Sequence, residues 1–193
     1  MTDPAHPAHP PQTKPTFAPP ARMTVRRLRP SDSMTELTGL LHRAYAKQVT
    51  LGMHALASHQ TPEVTRRRVD KGECFVAVDE VGGQIIGSIM FQEPSWGGSA
   101  TESGPRWFRR PDVANFSQFA VEPSRQGQGI GRLLLEGVER RARELGMAEL
   151  ALSTAEADAE LVAFYRARGY RDIDRFDWGV TNYTSLIMSK SLR

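Results

Sequence analysis

The spacing of apolar residues divides this chain into short strands and amphipathic helices. Alternating apolar residues, or short uninterrupted apolar runs, are typical of strands, whereas apolar residues three and four positions apart are typical of helices. Paired glycines after Asp79 predict a hairpin between two of the strands, because glycine accepts the positive φ of a tight turn. The predicted strands span residues 24–28, 74–78, 84–91, 115–121, 148–153, 170–178 and 183–190.

The predicted helices lie between these strands, and each has a start or stop signal. Ser33 opens the first helix as part of a capping box, and Thr61 followed by proline opens the second. Glycine ends the third helix at Gly146 and the fourth, residues 158–168, at Gly169. Helices between central strands, with hairpins at both ends, predict one α/β domain with a mixed sheet covered by helices. The third helix has one apolar face, formed by Leu133, Leu134, Val138, Ala142 and Leu145.

The N-terminal segment differs in composition from the rest of the chain. Residues 1–22 hold seven of the 13 prolines and almost nothing large and apolar apart from Phe17. Such a segment cannot bury a core, so we expect a disordered proline-rich tail followed by one domain at residues 23–193. His6 and His9 in this segment are too few ligands for a metal site, and no metal is predicted.

Composition and charge exclude several classes of function. The net charge of +3, with basic and acidic residues interspersed, gives no case for nucleic-acid binding. The single cysteine, Cys74, excludes an intramolecular disulfide and is expected in the core as a small apolar residue. The chain has no run of about 18 apolar residues and no apolar signal core, so we expect no membrane segment and a cytoplasmic location.

The stretch from Asn115 to Leu145 has the form of an anion-binding motif. An apolar strand is followed by Glu-Pro, then by glycines at alternate positions 127, 129 and 131, and then by the third helix. Without a Cβ, glycine permits positive φ and close approach, so successive backbone N–H groups can point inward. A strand, a glycine loop and a helix N-terminus together predict a phosphate site.

The glycine spacing excludes the two best-known phosphate-binding loops. A Walker loop needs Lys and then Ser or Thr after its last glycine, but Arg-Leu follows Gly131. A dinucleotide fingerprint needs its third glycine one residue later than it stands here. What remains, Gln126-x-x-Gly129-x-Gly131 after a strand, resembles the coenzyme A signature of the GCN5-related N-acetyltransferase (GNAT) superfamily. The sequence Ala163-Phe-Tyr-Arg-Ala-Arg-Gly-Tyr170, a helix and a strand downstream, strengthens the resemblance.

The resemblance covers roughly residue 23 to the C-terminus. It implies an α/β fold with a mixed, mostly antiparallel sheet, flanked by helices, whose fourth and fifth strands splay apart. In such proteins the pantetheine arm of acetyl-CoA lies between those strands, which here are residues 115–121 and 148–153. Backbone groups of Phe119 and Val121 would pair with the arm, and the amides of residues 126–132 would hold the pyrophosphate. With acetyl-CoA as co-substrate, the implied binding residues are Phe119, Ala120, Val121, Gln126, Gly127, Gln128, Gly129, Ile130, Gly131 and Arg132.

The resemblance also implies a proton donor. Tyr165 matches the tyrosine that many family members place beside the sulfur as general acid, and Phe164 should be its packing neighbour. The base is less defined, because Asn115 stands where some relatives carry glutamate, and an amide cannot take a proton at neutral pH. Glu122 is the candidate for the base. The alternatives are Glu93, Asp112, His54 and a water chain ordered by Asn115 and Ser117.

Two further stretches bear on the acceptor. The segment between residues 92 and 112 lacks a regular pattern and is either an ordinary mobile loop or a binding loop. Its aromatic residues Trp96, Trp107 and Phe108 make it the first choice for acceptor recognition. The consecutive arginines at 66–68 fan around the second helix, so we expect a solvated surface, with an anionic acceptor or the coenzyme phosphate as the alternative.

The leading hypothesis is an N-acetyltransferase that moves acetyl from acetyl-CoA to a primary amine by direct attack in a ternary complex. The acceptor is a small-molecule or peptide amine, and a homodimer is the default assembly. The first alternative is a catalytically silent acyl-CoA-binding regulatory module, favoured by the missing glutamate. The second is an interaction partner recruited through the proline-rich tail.

Overall fold

A computed structural model describes residues 22–94 and 104–193. The strands are β1 (Met23–Arg27), β2 (Glu73–Asp79), β3 (Ile85–Gln92), β4 (Val113–Val121), β5 (Glu149–Ala155), β6 (Arg171–Phe176) and β7 (Ser185–Ser191). The helices are α1 (Met34–Thr50), α2 (Pro62–Val69), α3 (Ile130–Glu144) and α4 (Ala159–Arg166). Short 3₁₀ turns span Leu56–Ser58, Arg106–Arg109 and Pro123–Arg125.

The strands form one sheet in the order β1-β2-β3-β4-β5-β7-β6. Neighbouring strands are antiparallel except for β4 and β5, which run parallel. Two blocks of strands, β1 to β4 and β5 to β7, therefore meet at a parallel pair in the centre of the sheet. This arrangement confirms the predicted mixed, mostly antiparallel sheet flanked by helices.

Helices cover both faces of the sheet and divide the core in two. On one face α3 and α4 pack against the central strands, and on the other face α1 and α2 do so. The buried face of α3 includes Leu135, whereas the predicted Leu133 and Leu145 are only half-buried. The face is rotated from the prediction because Leu133 begins a run of three leucines, and spacing alone cannot choose among them.

Side-chain caps confirm three of the predicted helix starts. The side chains of Ser33, Thr61 and Asp158 each accept a hydrogen bond from a backbone N–H three residues further on. Helix α4 ends at Arg166, earlier than predicted, and the chain then turns through Gly169 with a φ of 86°. Helix starts follow the local sequence closely because side-chain caps act within a single turn.

Some of the expectations fall outside the described residues. The predicted tail, residues 1–22, lies outside them apart from its last residue, as do His6, His9 and Trp96. Within residues 22–94 and 104–193, no group of three or more His, Cys, Asp or Glu side chains is placed to hold a metal ion. No helix within those ranges is long and apolar enough to cross a membrane.

Asp32, in the turn between β1 and α1, is held by strong hydrogen bonds. Arg26 donates to its two carboxylate oxygens at 2.7 and 2.8 Å, and the N–H of Arg29 donates at 2.6 Å. The hydrogen bonds from Arg26 are the main reason that the pKa of Asp32 lies below its usual value. A lowered pKa means that the carboxylate stabilises the fold above the pKa of the unfolded chain, about 3.9, and that this contribution is lost as the pH falls through the folded-state value.

We expect Asp32→Ala to lower the free energy of unfolding by about 2 kcal/mol at pH 7, a value typical of hydrogen bonds to charged groups. Because Asp32 becomes protonated in acid, the difference from wild type should shrink progressively below about pH 4. Urea denaturation at pH 7 and at about pH 2.5 measures both effects, with Asp70→Ala as an exposed control. An equal loss at the two pH values would contradict the prediction.

Candidate active site

The parallel pairing of β4 with β5 stops part of the way along the two strands. Residues Val113 to Phe116 pair with Glu149 to Leu152. Beyond these pairs β4 continues against β3 as far as Val121, and β5 continues against β7 as far as Ala155. The two central strands therefore separate into a gap in the sheet, which confirms the predicted splay.

Backbone N–H groups of β4 point into this gap. The N–H of Glu122 donates to the carbonyl of Ile86 at 2.9 Å, on the side of β3. Alternate residues of a strand direct their N–H groups to opposite edges, so the N–H of Val121 faces the gap. The N–H of Phe119, two residues earlier, has the same direction. The family resemblance predicts that backbone groups of these two residues pair with the extended pantetheine arm.

The glycine loop between β4 and α3 has a conformation suited to an anion. Gly127 and Gly129 have φ values of 77° and 84°, which residues with a side chain rarely adopt. Gly129 is the N-cap of α3 and has no side chain to accept from the first N–H groups of the helix. These N–H groups, together with the positive end of the helix dipole, form an anion-binding site.

Gly131 has a different role from the two glycines before it. It lies in the first turn of α3, where a Cβ would come within 3.1 Å of the Cζ atom of Phe119. The absence of a side chain lets the start of the helix pack against this ring, so the anion site adjoins the gap. The N–H of Gln126 donates to the carbonyl of Pro123 at 3.3 Å, so the open donors of the loop begin after Gln126.

A cavity of about 1570 Å³ joins the gap and the glycine loop. Its walls come from the splayed parts of β4 and β5, from the glycine loop and from α1, α2 and α4. Gln128, Trp107 and Glu122 are not among its lining residues, and Trp107 instead packs against Arg110, whose guanidinium lies 4.3 Å from the ring centre. The predicted residues that line it are Tyr165, Phe108, Phe119, Ala120, Val121, Gln126, Gly127, Gly129, Ile130, Gly131 and Arg132.

Tyr165 is buried within a cluster of aromatic rings on this wall, with 4% of its surface exposed. The ring centroids of Phe116, Phe119 and Phe164 lie 6.0, 6.4 and 5.4 Å from its own. Burial is the main reason that the pKa of Tyr165 lies well above its usual value. The phenol is therefore neutral at physiological pH and can donate a hydrogen bond into the cavity.

Glu122, the candidate base, lies beside a smaller cavity of about 660 Å³. Its Oε2 accepts from Nε and Nη2 of Arg43 at 2.9 and 2.8 Å. The carboxylate would have to leave this ion pair, or act through a water molecule, to reach an amine in the larger cavity. Its assignment as the base stays a prediction.

The alternative bases are distributed over different parts of the molecule. Glu93, Asn115 and Ser117 line the larger cavity, whereas His54 does not. Asp112 is paired with Arg110 at 2.7 Å. The polar candidates near the cavity are thus one carboxylate and the two residues proposed to order water.

Arg68 also lines the larger cavity, which the sequence pattern does not indicate. Arg66 and Arg67 are exposed, so the expectation of a solvated surface is right for these two and wrong for Arg68. Arg68 follows Thr65, which is fully buried, by three residues, and residues three apart share a helix face. The burial of Thr65 is itself a property of the fold, so no local signal in the sequence gives the direction of Arg68.

The comparisons with known proteins agree with this geometry. Residues 37–170 match the sequence model of the Acetyltransferase (GNAT) family. An aminoglycoside N(6')-acetyltransferase type 1 of Stenotrophomonas maltophilia is 29% identical over 153 residues, which cover 79% of this chain and 88% of that protein.

Solved structures share the fold over most of the chain. An acetyltransferase of the GNAT family from Staphylococcus aureus has a TM-score of 0.64 at 14% identity, with 89% of this chain and 99% of that chain covered. A GNAT family acetyltransferase from Elizabethkingia anophelis with acetyl-CoA bound has a TM-score of 0.59 at 16% identity, with 88% and 97% covered. At these identities the likeness concerns the fold.

Proposed function

Because this chain belongs to the acetyltransferase (GNAT) family, we propose that it transfers the acetyl group of acetyl-CoA to a primary amine by direct attack in a ternary complex. Family membership makes it an acetyltransferase. The use of acetyl-CoA by this chain, the amine acceptor and the roles of individual residues are what we propose here.

The continuity between the glycine loop and the gap in the sheet carries this proposal. A diphosphate at the start of α3 would meet open N–H groups after Gln126 and the positive end of the helix. An extended chain leaving that point would run along β4, where the N–H groups of Val121 and Phe119 are directed toward it. Acetyl-CoA has a diphosphate followed by an extended pantetheine arm, which is the order that the site requires.

Transfer requires that the acceptor nitrogen be neutral, because its lone pair attacks the thioester carbon. An amine with a pKa of about 10.4 is neutral in roughly one molecule per few thousand at pH 7, so a proton must be removed. In this proposal Glu122 takes that proton, directly or through water, and passes it to solvent. The nitrogen becomes positively charged on attack and loses a second proton by the same route. As the carbon–nitrogen bond forms, the carbonyl oxygen gains negative charge, which the N–H of Phe119 or Val121 can stabilise.

Cleavage of the carbon–sulfur bond leaves an electron pair on the sulfur. In this proposal the neutral phenol of Tyr165 donates a hydrogen bond to it. A thiol has an ordinary pKa of about 8.5, whereas burial raises the pKa of Tyr165 above its usual value. Complete proton transfer from the phenol is therefore uphill, and Tyr165 acts mainly by stabilising the departing thiolate.

Calorimetry and a thiol-release assay test the proposal. We expect the protein to bind one acetyl-CoA per chain and to release free thiol only when a suitable primary amine is present. S-Acetyl-pantetheine, which keeps the arm but lacks the diphosphate, is the matched control ligand and should bind much more weakly. The proposal would be ruled out if acetyl-CoA did not bind. It would also be ruled out if no amine in a broad panel raised the rate of thiol release above the rate without amine.

A further inference from the structure

Gln118 has a strained backbone at the edge of the cavity. The register between β3 and β4 shifts between Ser88 and Met90, near Gln118. Gln118 has a φ of 49°, and within the described residues it is the one non-glycine residue with a positive value. The hydroxyl of Ser88 donates to the Gln118 carbonyl at 3.0 Å and holds this bulge. A bulge re-aims a side chain, and strain of this kind is typical of functional sites.

Gln60 fixes the direction of the Gln118 amide. Arg68 Nη1 lies 2.7 Å from Gln60 Oε1, and arginine can only donate, so the oxygen of Gln60 must face it. The nitrogen of Gln60 then donates to Thr65 Oγ1 at 2.7 Å and to Gln118 Oε1 at 2.9 Å. Because the oxygen of Gln118 accepts this bond, its NH₂ group must point away from Gln60.

The NH₂ group of Gln118 is an unused donor at the cavity wall. Gln118 is 5% exposed and lines the cavity. Its Nε2 atom is buried and has no hydrogen-bond partner in the described structure. A buried donor without a partner is destabilising, so an acceptor atom that reaches Nε2 from the cavity would remove that cost.

Arg68 brings positive charge to the same place. It lines the cavity, and burial lowers its pKa, although a guanidinium stays charged at neutral pH. Within the described residues its side chain donates a hydrogen bond to Gln60 and forms no salt bridge with a carboxylate. Burial raises the pKa of nearby Tyr45 to about 12, so that this phenol is neutral and supplies no negative charge. Gln60 contacts both Arg68 and Gln118, so the cation and the unused amide donor lie on either side of one side chain.

We infer that Arg68 binds an anionic group of the acceptor while the Gln118 carboxamide donates to another acceptor atom of the same molecule, and that the acceptor is an amine that also carries a carboxylate, such as an amino acid. A carboxylate offers two acceptor atoms to the guanidinium of Arg68 and balances its half-buried charge. An acceptor with only cationic groups would supply neither a negative charge for Arg68 nor an acceptor atom for Gln118. This inference rests on the proposed function, because it assumes that the cavity receives the acceptor amine.

Pairs of amines that differ by one carboxylate provide the test. Phenylalanine with phenethylamine, methionine with 3-(methylthio)propylamine, and lysine with cadaverine form three such pairs. Binding to the protein saturated with coenzyme A is measured by calorimetry, so that the result does not depend on turnover. We expect at least one amino acid to bind about tenfold or more tightly than its decarboxylated partner, as loss of a charge-assisted hydrogen bond implies.

Variants of two arginines on α2 test whether Arg68 causes the preference for the carboxylate. Arg68→Gln should remove the preference for the carboxylate, and Arg68→Lys should retain part of it. Arg67→Gln, which removes an exposed arginine from the same helix, should leave it unchanged. The affinity for coenzyme A should be the same in all three variants, because the anion that we assign to Arg68 belongs to the acceptor.

The outcomes separate this inference from the proposed function. Equal or weaker binding of every amino acid relative to its partner would overturn the inference, even if amines accept acetyl groups. Loss of coenzyme A affinity in Arg68→Gln, with the carboxylate preference intact, would overturn it as well and assign Arg68 to a coenzyme phosphate. A protein that shows the carboxylate preference but releases no thiol would support the anion site and remove the proposed transfer reaction.

Discussion

Gly129→Asp is expected to weaken acetyl-CoA binding by about 100-fold. Aspartate is among the few residues that tolerate a positive φ such as the 84° of Gly129, so α3 should still form. Its carboxylate would lie where the diphosphate is proposed to bind. Two like charges about 4 Å apart repel by about 4 kcal/mol near a protein surface, and screening by salt reduces this toward the ~2.7 kcal/mol that corresponds to 100-fold.

Gly129→Asn is the matched control, because asparagine has the same shape without the charge and also tolerates positive φ. We expect this variant to lose less than about tenfold in affinity. Calorimetry measures both affinities, and thermal unfolding shows whether each variant keeps the stability of wild type. Equal losses in the two variants would mean that bulk rather than charge matters, and no loss in either would place the diphosphate elsewhere.

Tyr165→Phe is expected to lower kcat by about 10- to 100-fold when chemistry limits the rate. The substitution keeps the ring in its aromatic cluster and removes only the hydroxyl, so the KM for acetyl-CoA should change little. A hydrogen bond to a developing charge is worth about 1.5–3 kcal/mol, which sets this range. Turnover should not be abolished, because a thiolate is a reasonable leaving group without assistance.

Tyr170→Phe is a control from the same cluster. The hydroxyl of Tyr170 donates to Glu139 at 3.4 Å, and Tyr170 does not line the cavity, so we expect a change in kcat of less than about threefold. The raised pKa of Tyr165 keeps its phenol neutral, so wild type and Tyr165→Phe should share the same pH dependence up to about pH 9. Rapid-quench measurements that show an unchanged chemical step in Tyr165→Phe would remove its assigned role.

The sequence predicts those features of this molecule that depend on neighbouring residues. The hairpin after Asp79, the caps at Ser33 and Thr61, and the glycine loop before α3 are all as expected, because turn and cap preferences act over a few residues. The splay of β4 and β5 is not a local property, and only the family resemblance predicts it. One motif and its context therefore carry the prediction of the fold.

Features that depend on distant residues were not predictable in the same way. Glu122 pairs with Arg43, which is 79 positions away, and no pattern near either residue reveals this contact. Gln118 adopts a positive φ that sequence rules reserve for glycine, asparagine and aspartate, so its bulge could not be expected. The sequence groups Arg68 with two surface arginines because consecutive charges on a short helix usually face solvent, whereas the cavity on one side of α2 determines its direction.

The short ladder between β4 and β5 has a consequence for the mechanics of the sheet. Four residue pairs join its N-terminal and C-terminal blocks, while the strands within each block are hydrogen-bonded along most of their length. A ligand arm lying in the gap would connect the two blocks where β4 and β5 do not pair. Deuterium uptake at the amides of Phe119 and Val121 should then be rapid in the ligand-free enzyme and slow once the ligand is bound, so that ligand binding makes the centre of the sheet more rigid.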